Sequence, residues 1–343
     1  MPSFKSVVSS LPVILTALPS VQAGLDLSST SNVVVYWGQN SAAASGGGPS
    51  QQPLATYCED PNIDTLVMAF MTRINGAGGV PEINLANIGD SCGTFDGTNL
   101  KDCPQVGEDI KKCQSLGKTI LLSIGGATYT EGGFQSAEAA EAGARMVWET
   151  FGPVTNGDAL RPFGDAVVDG FDLDFEATVS NMVPFANTLR SLMDSDSSKQ
   201  YFLTAAPQCP FPDAANKEML DGAVSFDAIW VQFYNNYCGV NSYPDNFNFN
   251  TWDDWAQNTS KNKNVKVLVG VPANTGAAGS GYLPVDQLAP VIEHARTFPS
   301  FGGVMMWDAS QAYANDGFLS GIKSILGSVI SRVKRMFFRR DFW

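Results

Sequence analysis

Apolar residues in this chain fall into short runs separated by polar or glycine-rich stretches. Residues 32–38 read Asn-Val-Val-Val-Tyr-Trp-Gly, residues 63–71 Ile-Asp-Thr-Leu-Val-Met-Ala-Phe-Met, and residues 118–126 Lys-Thr-Ile-Leu-Leu-Ser-Ile-Gly-Gly. Such runs show little alternation, as expected for strands of a parallel sheet covered by helices. Further runs lie at 200–206, 226–233, 265–271 and 302–308. Stretches of helical character lie between or after them, at 106–116, 137–151, 183–193, 285–297 and 317–326. One strand has a different pattern. Residues 167–176 read Val-Val-Asp-Gly-Phe-Asp-Leu-Asp-Phe-Glu, and from Phe171 onward apolar and acidic residues alternate. With a period of two, Asp172, Asp174 and Glu176 share one face, and Phe171, Leu173 and Phe175 share the other. Eight strands, most followed by a helix, predict an α/β chain folded as a single (β/α)8 barrel.

In that fold the active site lies at the C-terminal ends of the strands. Tyr36, Phe70, Gly126, Glu176, Gln232, Tyr234 and Trp307 all fall there on the predicted strand limits. Neighbours along one face of a strand start roughly 6.6 Å apart. Three carboxylates at that spacing repel one another, so at least one holds its proton near neutrality and can serve as a general acid. A solvated polar strand would mix lysines and threonines among the acids, and its opposite face would not be wholly apolar. A calcium loop would need a glycine turn that the alternation lacks. No metal is expected, and no cofactor.

Composition narrows the chemistry. The 343 residues contain one histidine, His294, read as an exposed helix residue, so histidine triads, dyads and multi-histidine metal sites are unavailable within one chain. The acid chemistry must come from carboxylates or tyrosine. A net charge of −13 disfavours nucleic acid as a partner and suits a neutral polymer. Residues 1–23 read as a signal peptide, with Lys5, a short apolar run and Val21-Gln22-Ala23 before the cut, which predicts secretion. The 6 cysteines fit that compartment, though sequence alone does not pair them. Asn258-Thr259-Ser260 is an acceptor for an N-glycan.

The acid strand also carries a resemblance. Asp169-Gly170-Phe171-Asp172-Leu173-Asp174-Phe175-Glu176 resembles the Asp-Gly-x-Asp-x-Asp-x-Glu signature of glycoside hydrolase family 18. Ser123-Ile124-Gly125-Gly126, about 45 residues earlier, matches that family's second signature. Tyr36-Trp37-Gly38-Gln39-Asn40 and Val231-Gln232-Phe233-Tyr234-Asn235-Asn236 are similar to the plant and fungal class III chitinases. The resemblance spans residues 32–326. It implies a retaining, substrate-assisted endochitinase acting on chitin or N-acetylglucosamine oligomers, since this family is a recognised exception to the two-carboxylate scheme. Glu176 would be the acid, Asp174 would hold the substrate's N-acetyl group, Asp172 would tune Asp174, and Tyr234 would fix the attacking carbonyl. Gln232 and Asn235 would bind sugar or orient the acids, and Trp307 would form the floor under the cleaved sugar. For Phe70, binding and ordinary barrel core are equal readings. Tyr36, Gln39, Asn84 and Gly126 are carried over as substrate-binding positions from matching runs. The same resemblance implies disulfides Cys58–Cys113, Cys92–Cys103 and Cys209–Cys238.

Two other functions stay open at this level. One is an endo-β-N-acetylglucosaminidase acting on N-glycans, and the other is a non-catalytic sugar-binding protein on the same barrel. The domain reading is a signal peptide at 1–23, one catalytic barrel domain at 24–326 acting as a monomer, and a basic tail at 327–343. Asp169, on the opposite parity from the three acids, is read as structural, and Asp308 as a polar strand end.

Overall fold

The computed structural model describes residues 24–155 and 157–337, so the signal segment and residues 338–343 of the tail lie outside the described residues. Eight parallel strands form the barrel: β1 (Asn32–Trp37), β2 (Thr65–Arg73), β3 (Thr119–Gly125), β4 (Gly170–Asp174), β5 (Phe202–Ala205), β6 (Ala228–Gln232), β7 (Lys266–Pro272) and β8 (Phe301–Trp307). Each pairs with its neighbour in chain order, and β1 pairs with both β2 and β8, which closes the sheet. Around it run α1 (Leu54–Cys58), α2 (Pro104–Ser115), α3 (Ala137–Phe151), α4 (Met182–Ser195), α5 (Lys217–Leu220), α6 (Phe249–Asp254), α7 (Val285–Ala295) and α8 (Phe318–Phe337). The predicted α/β class and barrel are therefore the observed ones.

Local chemistry explains where the helices begin. Ser136 caps α3 by accepting from the Ala139 amide, and the alanine-rich stretch behind it has high helix propensity. Pro104 opens α2, where its missing N–H costs nothing. Helix α8 extends to Phe337, through most of the stretch read as a basic tail. Among the described residues no helix is long and apolar enough to cross a membrane.

Two cores follow from the alternation of β4. Phe171, Leu173 and Phe175 face the helices and are buried there, Phe171 beside Trp148 and Phe175 against Tyr129. Each buried phenylalanine stabilises the fold by about 2–3 kcal/mol. Inside the barrel a second cluster contains Val34, Tyr36, Val67, Leu121, Trp230 and Met305. The acids of β4 point into this inner space.

The long excursion after β2 contains structure that its sequence period did not announce. Glu82–Ile83 pairs antiparallel with β2, and Gly93–Thr94 pairs with Lys101–Asp102. Strands of two residues are too short to carry a period. All three implied disulfides are present. Cys58–Cys113 ties α1 to α2, Cys92–Cys103 closes a ring within the excursion, and Cys209–Cys238 joins the segments that follow β5 and β6. His294 is half-buried rather than exposed, because the rings of Tyr243, Phe247 and Phe298 pack around it.

Asp169 anchors the entry to the acid strand. Its carboxylate accepts from the Ile120 amide (2.8 Å), Gln114 Nε2 (2.9 Å) and Lys199 Nζ (2.6 Å). Gly170 follows at φ 143°, and a Cβ there would lie 1.9 Å from the Phe202 carbonyl oxygen. Only glycine fits where β4 and β5 approach this closely. We expect Gly170→Ala to lose about 2–4 kcal/mol of stability, read by urea denaturation, because both the clash and the backbone angle oppose it. A melting curve superposable on wild type would contradict this reading of the strand entry.

Candidate active site

Asp172 lies deepest on β4 and is fully buried. Its neighbours in the barrel each supply a hydroxyl: Tyr36 Oη donates at 2.6 Å, Ser123 Oγ at 2.7 Å and Thr204 Oγ1 at 2.9 Å. Tyr36 Oη in turn accepts from Trp230 Nε1 at 3.0 Å. These partners come from β1, β3, β5 and β6, so barrel closure itself gathers them. Burial raises the Asp172 carboxyl, and the hydroxyl donors oppose that rise.

Asp174 is two residues nearer the mouth and still only 3% exposed. Gln232 Nε2 donates to its Oδ1 at 3.0 Å and to the Ala206 carbonyl at 2.9 Å. Burial holds the Asp174 carboxyl well above the usual carboxylate range, and the charges of Glu176, Asp172 and Asp213 add to the effect. Glu176 follows the end of the strand and opens to the cleft. The surrounding protein raises its carboxyl too, and Asp213 adds to the rise. The Tyr234 hydroxyl is held well above the usual phenol range by burial, then by Asp174 and Glu176. The row thus contains acids that compete for protons, so its titration belongs to the set and not to one residue.

These groups meet in a cleft of about 250 Å³. Of the twelve positions singled out from the sequence, Glu176, Asp174, Tyr234, Tyr36, Gln39, Phe70, Gln232, Asn235 and Trp307 line it. Asp172 sits beneath. Gly126 supports the wall: its amide donates to the Asp174 carbonyl at 2.7 Å, and a Cβ would come within 2.7 Å of the Phe70 ring. Asn84 lies in a neighbouring groove with Asn40, Thr72 and Asn99, and its Oδ1 accepts from the Ala86 amide. Gln39 Nε2 is engaged by the carbonyls of Ala69 and Asn84, and Asn235 Oδ1 by the Ser280 amide, so both side chains also brace loops.

The aromatic floor is continuous. Trp307 stacks on Phe70 with centroids 5.8 Å apart and planes at 19°, and Tyr36 meets Trp307 at 5.5 Å. Phe70 therefore belongs to the cleft as well as to the inner core. Asp308, the next residue, caps the short helix Ala309–Tyr313 by accepting from the Gln311 amide and Ser310 Oγ. It is more than a polar strand end.

Sequence reasoning missed Gln208, Thr128 and Met305, which also line the cleft. Gln208 lies two residues beyond the predicted strand 200–206, and only the folded chain shows its parallel bridge to Gln232. The proline-rich run around it reads only as a turn. Among the described residues no group of three or more His, Cys, Asp or Glu is arranged to hold a metal ion.

The model of the glycosyl hydrolases family 18 matches residues 32–287. The chain belongs to glycoside hydrolase family 18. A class III chitinase of Arthroderma benhamiae is 53% identical to it, over 98% of this chain and 97% of that protein. Endochitinase 33 of Trichoderma harzianum is 46% identical, over 95% and 100%. Among solved structures, a xylanase and alpha-amylase inhibitor protein from Scadoxus multiflorus is similar at 31% identity and a TM-score of 0.69, covering 85% of this chain and 97% of that one. The family barrel thus appears under both enzyme and inhibitor names, and fold alone does not choose between them.

The raised Asp174 carboxyl has a consequence for stability. Below the unfolded-state value of about 4 both states are protonated and the site costs nothing. As pH rises above it, the unfolded chain releases its proton while the folded site resists, so stability is lost toward the raised folded-state value. Asp174→Asn stays neutral throughout. It should melt higher than wild type near neutral pH, with the advantage shrinking as pH approaches about 4. An advantage constant with pH would point to packing as its source.

Proposed function

We propose that this protein is a secreted endo-acting chitinase that hydrolyses β-1,4 bonds between N-acetylglucosamine units with retention at the anomeric carbon. The observation that carries the reading is the row Asp172, Asp174, Glu176, with its outermost member open to an aromatic-floored cleft. The names of the class III chitinase and endochitinase relatives support the substrate.

In this reading Glu176, whose carboxyl its surroundings raise, gives its proton to the glycosidic oxygen as the bond to the anomeric carbon breaks. The carbonyl oxygen of the substrate's own N-acetyl group attacks that carbon and forms a cyclic intermediate. Asp174 holds the N–H of the acetamido group, and Tyr234 donates to its carbonyl oxygen. Asp172, fixed by three hydroxyls, acts on Asp174 through its charge. Glu176, now a carboxylate, takes a proton from the water that opens the intermediate. The Trp307 face packs under the sugar ring that is being cleaved.

The rest of the proposal concerns context. Residues 1–23 are removed on secretion, the barrel acts as a monomer, and Asn258, exposed with its Nδ2 donating to Asp254, accepts an N-glycan. The similar inhibitor barrel favours one competing reading, a protein that binds without cleaving. Against it stands the complete set of Asp172, Asp174, Glu176 and Tyr234.

Hydrolysis of a soluble chitin oligomer separates the two. Glu176→Gln should reduce kcat by roughly a hundredfold or more while leaving oligomer binding in place. Wild-type protein that binds the oligomer and cleaves nothing would transfer the assignment to the binding protein.

A further inference from the structure

The segment between β5 and α5 contains an acid that the mechanism above does not use. Asp213 is 5% exposed. Its Oδ2 accepts from the Gln208 amide at 3.1 Å, and its Oδ1 accepts from the Asn216 amide at 2.7 Å and Asn216 Nδ2 at 2.8 Å. Every one of these partners is a donor, which suits a carboxylate. A neutral side chain would leave donors short of acceptors in a buried place.

Both ends of this arrangement reach the acid. Asn216 Nδ2 also donates to the carbonyl of Phe175, the residue before Glu176, at 3.0 Å. Gln208, held through its amide, lines the cleft beside Glu176, and Asn236 Nδ2 donates to its side-chain oxygen at 3.0 Å. The adjoining Cys209–Cys238 disulfide limits how far the segment can move. We infer that Asp213 is a positioning residue for Glu176: its carboxylate pins Gln208 and Asn216 within one segment, Asn216 ties that segment to the residue before the acid, and the carboxylate sets a negative charge near it.

The inference rests on Glu176 being the general acid. A proton donor must keep its proton until the substrate arrives, and a neighbouring negative charge disfavours its release. Asp213 raises Glu176 after burial does, and it also raises Asp174. Tyr234 faces both Asp174 and Glu176, while Asp172 and Tyr36 reach them through Asp174. Lys217, Glu218 and Asp221 share a second cavity with Asp213.

The test is the pH profile of kcat/KM for a soluble chitin oligomer. Activity falls on the alkaline side as the acid loses its proton. Removing the Asp213 charge lowers the Glu176 value, so in Asp213→Asn that limb should move to lower pH by about half to one unit. Asn216→Ala, which breaks the tie to Phe175 and keeps the charge, should lower the rate at every pH and leave the limb in place. Asp213→Ser, smaller and also neutral, carries the same prediction as the asparagine variant and is read in its place if the amide does not fold. A folded neutral variant with an unmoved limb overturns the inference. Glu176→Gln run alongside keeps the failures distinct. If that variant stays active, the acid assignment itself is wrong. If it is silent and the limb is unmoved, only the role of Asp213 falls.

Discussion

Burial of carboxylates placed in a row inside a closed barrel, with repulsion added at Asp174, is the constraint on which this structure turns. Asp172 and Asp174 are almost wholly removed from water, and Glu176 stands just above them. The charges that act most on Asp174 are those of other acids. A buried carboxylate is tolerated only when donors face it or it holds a proton. Barrel closure meets the first condition for Asp172, because β1, β3 and β5 each bring one hydroxyl to it. The second bears on Asp174, whose carboxyl burial raises well above the usual range and to which Gln232 donates, while Glu176, open to the cleft, is raised as well. The same crowding that costs stability keeps a proton available for chemistry.

The two faces of β4 divide the work. Its phenylalanines and leucine pack against the helices and hold the strand in register, so its acids cannot slip by one residue without exchanging faces. Gly170 and Asp169 fix where the strand enters, and the Gly126 amide, donating to the Asp174 carbonyl, fixes where it ends. The cleft is therefore built on strands and short braced loops, which position side chains more closely than free loops would.

Much of this was legible in the sequence for physical reasons. Period two is unambiguous when acids alternate with aromatics, so the inward row was readable without any structure. Valine-rich runs without alternation pointed to a covered parallel sheet, and strand ends then marked most of the cleft. What was not legible depended on tertiary contact. Asp213 sits in a proline-rich run whose pattern says only that the chain turns, and its partners are fixed by how that run folds back on Phe175. Asn84 matched a family run, yet its side chain is directed to a local turn in the neighbouring groove. Asp308 and His294 were misjudged because capping and ring packing depend on neighbours that lie close only after folding.

The central claim is that this row of acids supplies one proton donor and positions a nucleophile belonging to the substrate. The stereochemistry of the new reducing end tests that most directly. Proton NMR in the first minutes of hydrolysis of a soluble chitin oligomer, before mutarotation, should show the β-anomer, because two successive inversions restore the starting configuration. Initial release of the α-anomer would mean direct displacement by water, and would contradict the account.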